Sequence, residues 1–172
     1  GARVDSLSTE KLKLFEELLE DYCVDPMAKI VVFARFIPSL LRIEKLLQKM
    51  KLPYGVIKGG ISLNQRAEAV REFWKGKGPK VLLGQIDTAG LSIDLSCAST
   101  AIFYELDYSV DHWIQAQDRL HRIGQNNKVL YLHLLSPGTV DEDIYESLKA
   151  NEQVAETVLN RLRQRAKQPI SV

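Results

Sequence analysis

Several classes of protein are excluded by what this 172-residue chain lacks. No apolar run approaches the roughly 20 residues that a bilayer-spanning helix needs, and the longest, Lys29–Ala34, is strand-sized. No basic–apolar–small signal pattern stands at the start, and the opening Gly1-Ala2-Arg3 has no methionine, which suggests a piece of a longer protein. There are two cysteines, Cys23 and Cys97, without metal-ligand spacing or the density of a disulfide framework, so a reducing, intracellular setting is the default. A net charge of +1 rules out a uniformly basic nucleic-acid magnet, and any such binding must come from a local patch or a partner domain. Tight hairpin signals, internal repeats and low-complexity segments are also missing.

What is present is an alternation of two periodicities. Ser8 or Thr9 suits the cap of a helix with apolar residues at Leu12, Phe15, Leu19 and Tyr22. Lys29-Ile-Val-Val-Phe-Ala34 is short and β-branched, as a strand buried on both faces would be. Pro38 opens a helix with the face Leu40, Ile43, Leu47 and Met50. Tyr54–Lys58 reads as a strand ending at Gly59-Gly60. Ser62-x-x-Gln65 then makes a capping box for a helix lined by Leu63, Ala67, Val70 and Trp74. Lys80–Leu83, Thr100–Tyr104 and Lys128–Leu135 read as further strands, with a helix from about Asp111 to Ile123 between the last two. Thr139-x-x-Glu142 caps a final long helix. Trp74 and Trp113 read as core residues, and His112 and His133 as surface or boundary histidines.

Strands separated by helices imply crossovers, hence an α/β fold with a mostly parallel central sheet flanked by helices. One domain over residues 1–160 is expected, with a basic, frayed tail over 161–172. In such sheets ligands gather beyond the carboxyl ends of the strands. The loops of interest are therefore Phe33–Pro38, Lys58–Asn64, Gly84–Asp94, Glu105–Asp111 and the surroundings of Ser136.

The most informative segment is Gln115-Ala-Gln-Asp-Arg-Leu-His-Arg-Ile-Gly-Gln125. On a helix Gln115, Arg119 and Arg122 share one face, while Trp113, Ala116, Leu120 and Ile123 share another. Two guanidinium groups and an amide on a rigidly docked helix form a planar, multi-donor site for phosphate oxygens. Spacing alone favours a plain solvated helix face, since most surface arginines do nothing special.

The same segment resembles the final helicase motif of Swi/Snf-type ATPases, matching it at Gln115, Ala116, Asp118, Arg119, His121, Arg122, Ile123, Gly124 and Gln125. Other stretches resemble that family in order. These are Ile30–Phe36, Lys58–Ser62 with Gln65-Arg66 and Phe73, Val81–Leu95, and Phe103–Ser109. The departures are Lys58 for an aspartate, Ala89 and Ser92 for glycines, and Asp94 for an asparagine. An Asp94 carboxylate near phosphates would repel them unless it faced an amide, a ribose or a basic group.

The resemblance implies a RecA-like three-layer domain, the second of two lobes that clamp ATP and Mg2+. Both ligands would be held mainly by an N-terminal RecA-like lobe, since this chain has neither a Gly-x-x-x-x-Gly-Lys-[Ser/Thr] loop nor an Asp-Glu-x-His box. It further implies Arg119 and Arg122 as arginine fingers, and Gln115, Gly90 and Ser92 beside the nucleotide. His121 would hold the end of its helix by hydrogen bonding. Arg35, Phe36, Gly59, Gly60, Ser62, Gln85 and Thr88 would meet the backbone of double-stranded DNA. No metal site of its own and no membrane are expected. An RNA-helicase lobe, whose last motif usually reads Gln-x-x-Gly-Arg-x-x-Arg, and a non-catalytic RecA-like binding module are the competing readings.

Overall fold

The computed structural model describes residues 2–75, 77–78, 80–86, 93–107, 109–120 and 128–166, with side chains omitted for 2–8 and 155–166. Five strands make one sheet: β1 (Ile30–Ala34), β2 (Tyr54–Ile57), β3 (Val81–Gln85), β4 (Thr100–Phe103) and β5 (Leu130–His133). Their order is β2-β3-β1-β4-β5, and every neighbouring pair is parallel. Five helices flank them: α1 (Ala2–Tyr22), α2 (Ile37–Lys49), α3 (Leu63–Trp74), α4 (Val110–Leu120) and α5 (Val140–Ala166). The expected tail boundary at position 160 falls inside α5.

β1 lies at the centre because it has no polar face to expose. All five of its residues are buried, and they pair with Val81–Gln85 on one side and, from Ile30 to Phe33, with Thr100–Phe103 on the other. Alternate residues then feed two cores. Val31, Phe33, Ile57, Leu82, Ala101 and Phe103 face a layer with Phe73 of α3, Trp113, Ala116 and Leu120 of α4, and Ile144 and Leu148 of α5. Ile30, Val32, Ala34, Val81, Leu83 and Ile102 face Phe15 and Leu19 of α1 and Leu40, Ile43 and Leu47 of α2.

The side chosen by each helix follows from crossover handedness. The chain steps outward from β1 to β2 through α2, then reverses, so a right-handed crossover puts α3 and α4 on the opposite face. Because β3 and β4 flank β1, the chain passes from one side of β1 to the other in the β3–β4 connection. That is the topological switch point at which α/β sheets hold ligands.

Local signals set most boundaries. Pro38 sits in the first turn of α2, and the Ser62–Gln65 capping box forms with both of its hydrogen bonds. Gly60, at φ +84°, makes the left-handed turn between β2 and α3. Three expectations are corrected. Ser8 and Thr9 lie inside α1 rather than at its cap, because helix-compatible residues continue back to Ala2. Helix α3 docks through Ala69, Val70 and Phe73, leaving Leu63 67% exposed. Trp74 is accordingly 45% exposed rather than core, its indole N–H donating to the Asp94 carbonyl at 2.9 Å.

Ile102 is fully buried on β4. Ile102→Ala should cost about 2–5 kcal/mol in urea unfolding. Val24→Ala, at a position 78% exposed, should stay within about 0.5 kcal/mol. Equal effects at the two positions would contradict the layer assignment.

Candidate nucleotide and nucleic-acid interface

Helix α4 is the element that places the candidate phosphate ligands. Trp113, Ala116 and Leu120 are buried against the sheet, which leaves Gln115 exposed and Arg119 half-buried. The aromatic seating is extensive. Trp113 stacks at 5.0 Å from Phe103 of β4 and 4.6 Å from His133 of β5, with Tyr145 of α5 closing the cluster. Rings at such offsets lock relative orientation as well as burying area. His133 is therefore part of the core packing, with its Nδ1 buried and unpartnered among the described residues. Burial, followed by the Lys149 charge, pushes its pKa down to about 4.

Arg119 reaches back toward the tip of the sheet. Its Nη1 donates to the Ile93 carbonyl at 3.4 Å, and the Leu95 amide donates to the Arg119 carbonyl at 3.0 Å. The side chain roofs a small apolar cleft lined by Phe33, Ile57, Leu82, Gln85, Ile93 and Leu95. Arg119 is thus positioned at the switch point, tied to the connection that leads out of β3. Arg122 and His121, with Thr88, Gly90 and Ser92, lie outside the described residues. Asp94 does face a backbone amide. Its Oδ1 accepts from the Ser96 amide at 3.0 Å and the Ser96 hydroxyl at 2.7 Å, which closes a local turn.

The loops after β1, β2 and β3 are joined by Gln85. Its Oε1 accepts from the Gly59 amide at 3.1 Å and its Nε2 donates to the Arg35 carbonyl at 3.4 Å. The Ser62 amide is likewise engaged, donating to Gln65 Oε1 at 2.9 Å. Lys58, which replaces an acidic residue, pairs with Glu44 of α2 at 3.1 Å. Phe36 is 54% exposed, with the Arg35 guanidinium 5.1 Å from its ring centre.

Two carboxylates at the end of β4 went unrecognised as organisers of this region. Glu105 accepts from the Arg35 and Phe36 amides, each at 3.0 Å, and from the Ser39 hydroxyl. It therefore caps the amino end of α2 and occupies the anion site that the helix dipole creates there. Asp107 is buried and pairs with Arg35 Nη1 at 3.4 Å and with His112 Nδ1 at 2.7 Å. His112 is thus no plain surface histidine. The available signal was positional: both acids fall within Phe103–Ser109, a motif-like stretch that carried no residue role.

Gln115 and Arg119 present N–H groups, whereas Glu105 and Asp107 are already committed to amides, Arg35 and His112. Among the described residues no group of three His, Cys, Asp or Glu side chains could hold a metal ion. Nor is any described helix long and apolar enough to cross a membrane.

A parallel five-stranded sheet between two helical layers, with an arginine-bearing helix at its switch point, defines a RecA-like lobe. Residues 10–124 match the family model of the helicase conserved C-terminal domain, and the chain belongs to that family. Its relatives are of Swi/Snf type. It is 33% identical over 132 residues to the DNA annealing helicase and endonuclease ZRANB3 of Homo sapiens, covering 77% of this chain and 12% of that protein. It is 28% identical over 149 residues to the ATP-dependent helicase fft2 of Schizosaccharomyces pombe, covering 87% and 11%. It is 30% identical over 151 residues to the chromatin-remodeling ATPase INO80 of Debaryomyces hansenii, again covering 87% and 11%. The chain therefore spans about a tenth of the length of these relatives. The crystal structure of the C-terminal part of the Fun30 ATPase domain superposes with a TM-score of 0.74 at 25% identity, covering 80% of this chain and 45% of that one.

The His133 pKa carries a pH consequence. An unfolded histidine takes up its proton near pH 6.5, whereas the folded one resists down to about 4. The unfolded state therefore binds more protons between those values, and stability falls as pH drops through that window. After discounting for partial exposure, the loss should be on the order of 1–2 kcal/mol between pH 7 and 4.5. Urea titrations at the two pH values should show it, and His133→Phe should shrink the difference. An undiminished difference in the variant would contradict the assignment.

Proposed function

We propose that this chain is the second motor lobe of an ATP-driven translocase or remodeller that acts on double-stranded DNA, completed by an N-terminal RecA-like lobe. The observation that carries this reading is the seating of α4. Its apolar side is fixed by the ring cluster, and Arg119 is held at the switch point beside Ile93 and Gln85. A guanidinium held there needs little reorganisation to meet a nucleotide presented by a facing lobe. ATP and Mg2+, held mainly by that first lobe, supply the hydrolysis. Arg119 and Arg122 stabilise negative charge on the phosphoryl group, while Gln115 orients them, with Gly90 and Ser92 bordering the nucleotide.

The DNA-facing surface is formed by the loops beyond β1, β2 and β3. Arg35 and Phe36 lie on the first, Gly59, Gly60 and Ser62 on the second, and Gln85 and Thr88 on the third. Because the Gly59 and Ser62 amides are engaged within the chain, a phosphate would meet Gly60 and the first turn of α3. Contacts of this kind reach phosphates and not base edges, so binding should be independent of sequence. The names of the relatives, a DNA annealing helicase and a chromatin-remodeling ATPase among them, favour DNA over RNA as the track. They also point to an intracellular site of action.

In the two-lobe protein Arg122→Ala should lower DNA-stimulated ATP turnover about 10³-fold or more while leaving DNA binding nearly intact. Turnover that survives the substitution would defeat the finger assignment. The chain alone should show negligible ATPase activity, and robust magnesium-dependent turnover from it would overturn the division of labour between lobes.

A further inference from the structure

The carboxylates at the end of β4 are arranged as a device rather than as scattered acids. Glu105 binds the β1–α2 loop from below through three donors: the amides of Arg35 and Phe36 and the hydroxyl of Ser39. Asp107, two residues on, grips the Arg35 side chain with one oxygen and His112, in the first turn of α4, with the other. Two negative charges so close to a surface that would face DNA are costly unless they are spent on something. Here they are spent on two amides, a hydroxyl, a guanidinium and an imidazole, with the α2 dipole in support.

We propose that Glu105 is a positioning residue, the anchor that fixes the β1–α2 loop so that Arg35 and Phe36 face the DNA track, with Asp107 tying the same loop to α4. This rests on the reading of that loop as a DNA contact. The anchor acts through geometry. A carboxylate accepting two consecutive backbone amides sets the peptide planes at Arg35 and Phe36, and those planes aim both side chains. Phe36 needs such a restraint because more than half of its surface is exposed and little packing holds it. The Asp107 link means that a shift of α4 moves Arg35 as well. The loop that would touch DNA and the helix that would touch nucleotide therefore share one rigid connection.

The test is Glu105→Ala, which removes both carboxylate oxygens, so that the Arg35 and Phe36 amides, which share Oε2, lose their acceptor. Ser39→Ala is a milder variant that removes only the hydroxyl contact. In this chain, amide hydrogen exchange at Arg35 and Phe36 should speed up at least ~10-fold in E105A, while the amides of Val31 to Phe33 stay protected. In the two-lobe protein, E105A should raise the DNA concentration for half-maximal ATPase stimulation about 5–10-fold and leave turnover at saturating DNA within about two-fold. S39A should give a smaller shift in the same direction. A loss confined to saturated turnover, or half-saturation unchanged in E105A while Arg35→Ala raises it, would overturn the anchor. Half-saturation unchanged in Arg35→Ala itself would instead remove the DNA reading of the loop, and the anchor with it.

Discussion

Everything at the tip of the sheet depends on how α4 is seated. Trp113 is wedged between Phe103 and His133, with Ala116 and Leu120 continuing the contact along the helix. Rotating α4 by a quarter turn would bury Arg119 under the sheet or throw it into solvent, and either would separate it from the switch point. The cost of this precision is visible in two buried nitrogens, Trp113 Nε1 and His133 Nδ1, which have no partner among the described residues. Ring packing has been favoured over polar satisfaction, which makes the helix rigid and the cluster sensitive to acid.

A second constraint is that polar groups near the site are largely spent on one another. Gln85 links the loops after β1 and β2, Glu105 closes the start of α2, and Asp94 turns its own loop through Ser96. These bonds are modest one by one, yet together they tie the loops after β1, β2, β3 and β4 into one surface. In the proposed two-lobe arrangement such a surface would move as a body when the facing lobe closes, without each loop finding its own position.

Much of this architecture was legible in the residues. The all-apolar stretch at Ile30–Ala34 announced a central strand, because only a strand covered on both faces can dispense with polar alternation. The Ser62–Gln65 box and Pro38 marked helix starts by mechanism. The two faces of α4 followed from spacing at Trp113, Ala116 and Leu120 against Gln115 and Arg119. Helix α3 was misread because Leu63, Ala67, Val70 and Trp74 make as regular a stripe as the one that is buried; Phe73, fully enclosed in the core, decided between them. The roles of Glu105 and Asp107 did not follow from the sequence for a different reason. Their partners, Arg35, Phe36 and Ser39, lie some seventy residues away, and only the parallel pairing of β1 with β4 brings them together.

The central claim is that this lobe offers guanidinium groups to a nucleotide that another lobe holds. It is tested most directly by determining the structure of the two-lobe protein with a transition-state analogue of ATP hydrolysis bound. The account predicts an Arg119 or Arg122 guanidinium nitrogen within about 3 Å of the oxygens or fluorines of the phosphoryl mimic. Finding both arginines turned away, with Arg119 still bonded to the Ile93 carbonyl and no side chain of this lobe at the mimic, would contradict it.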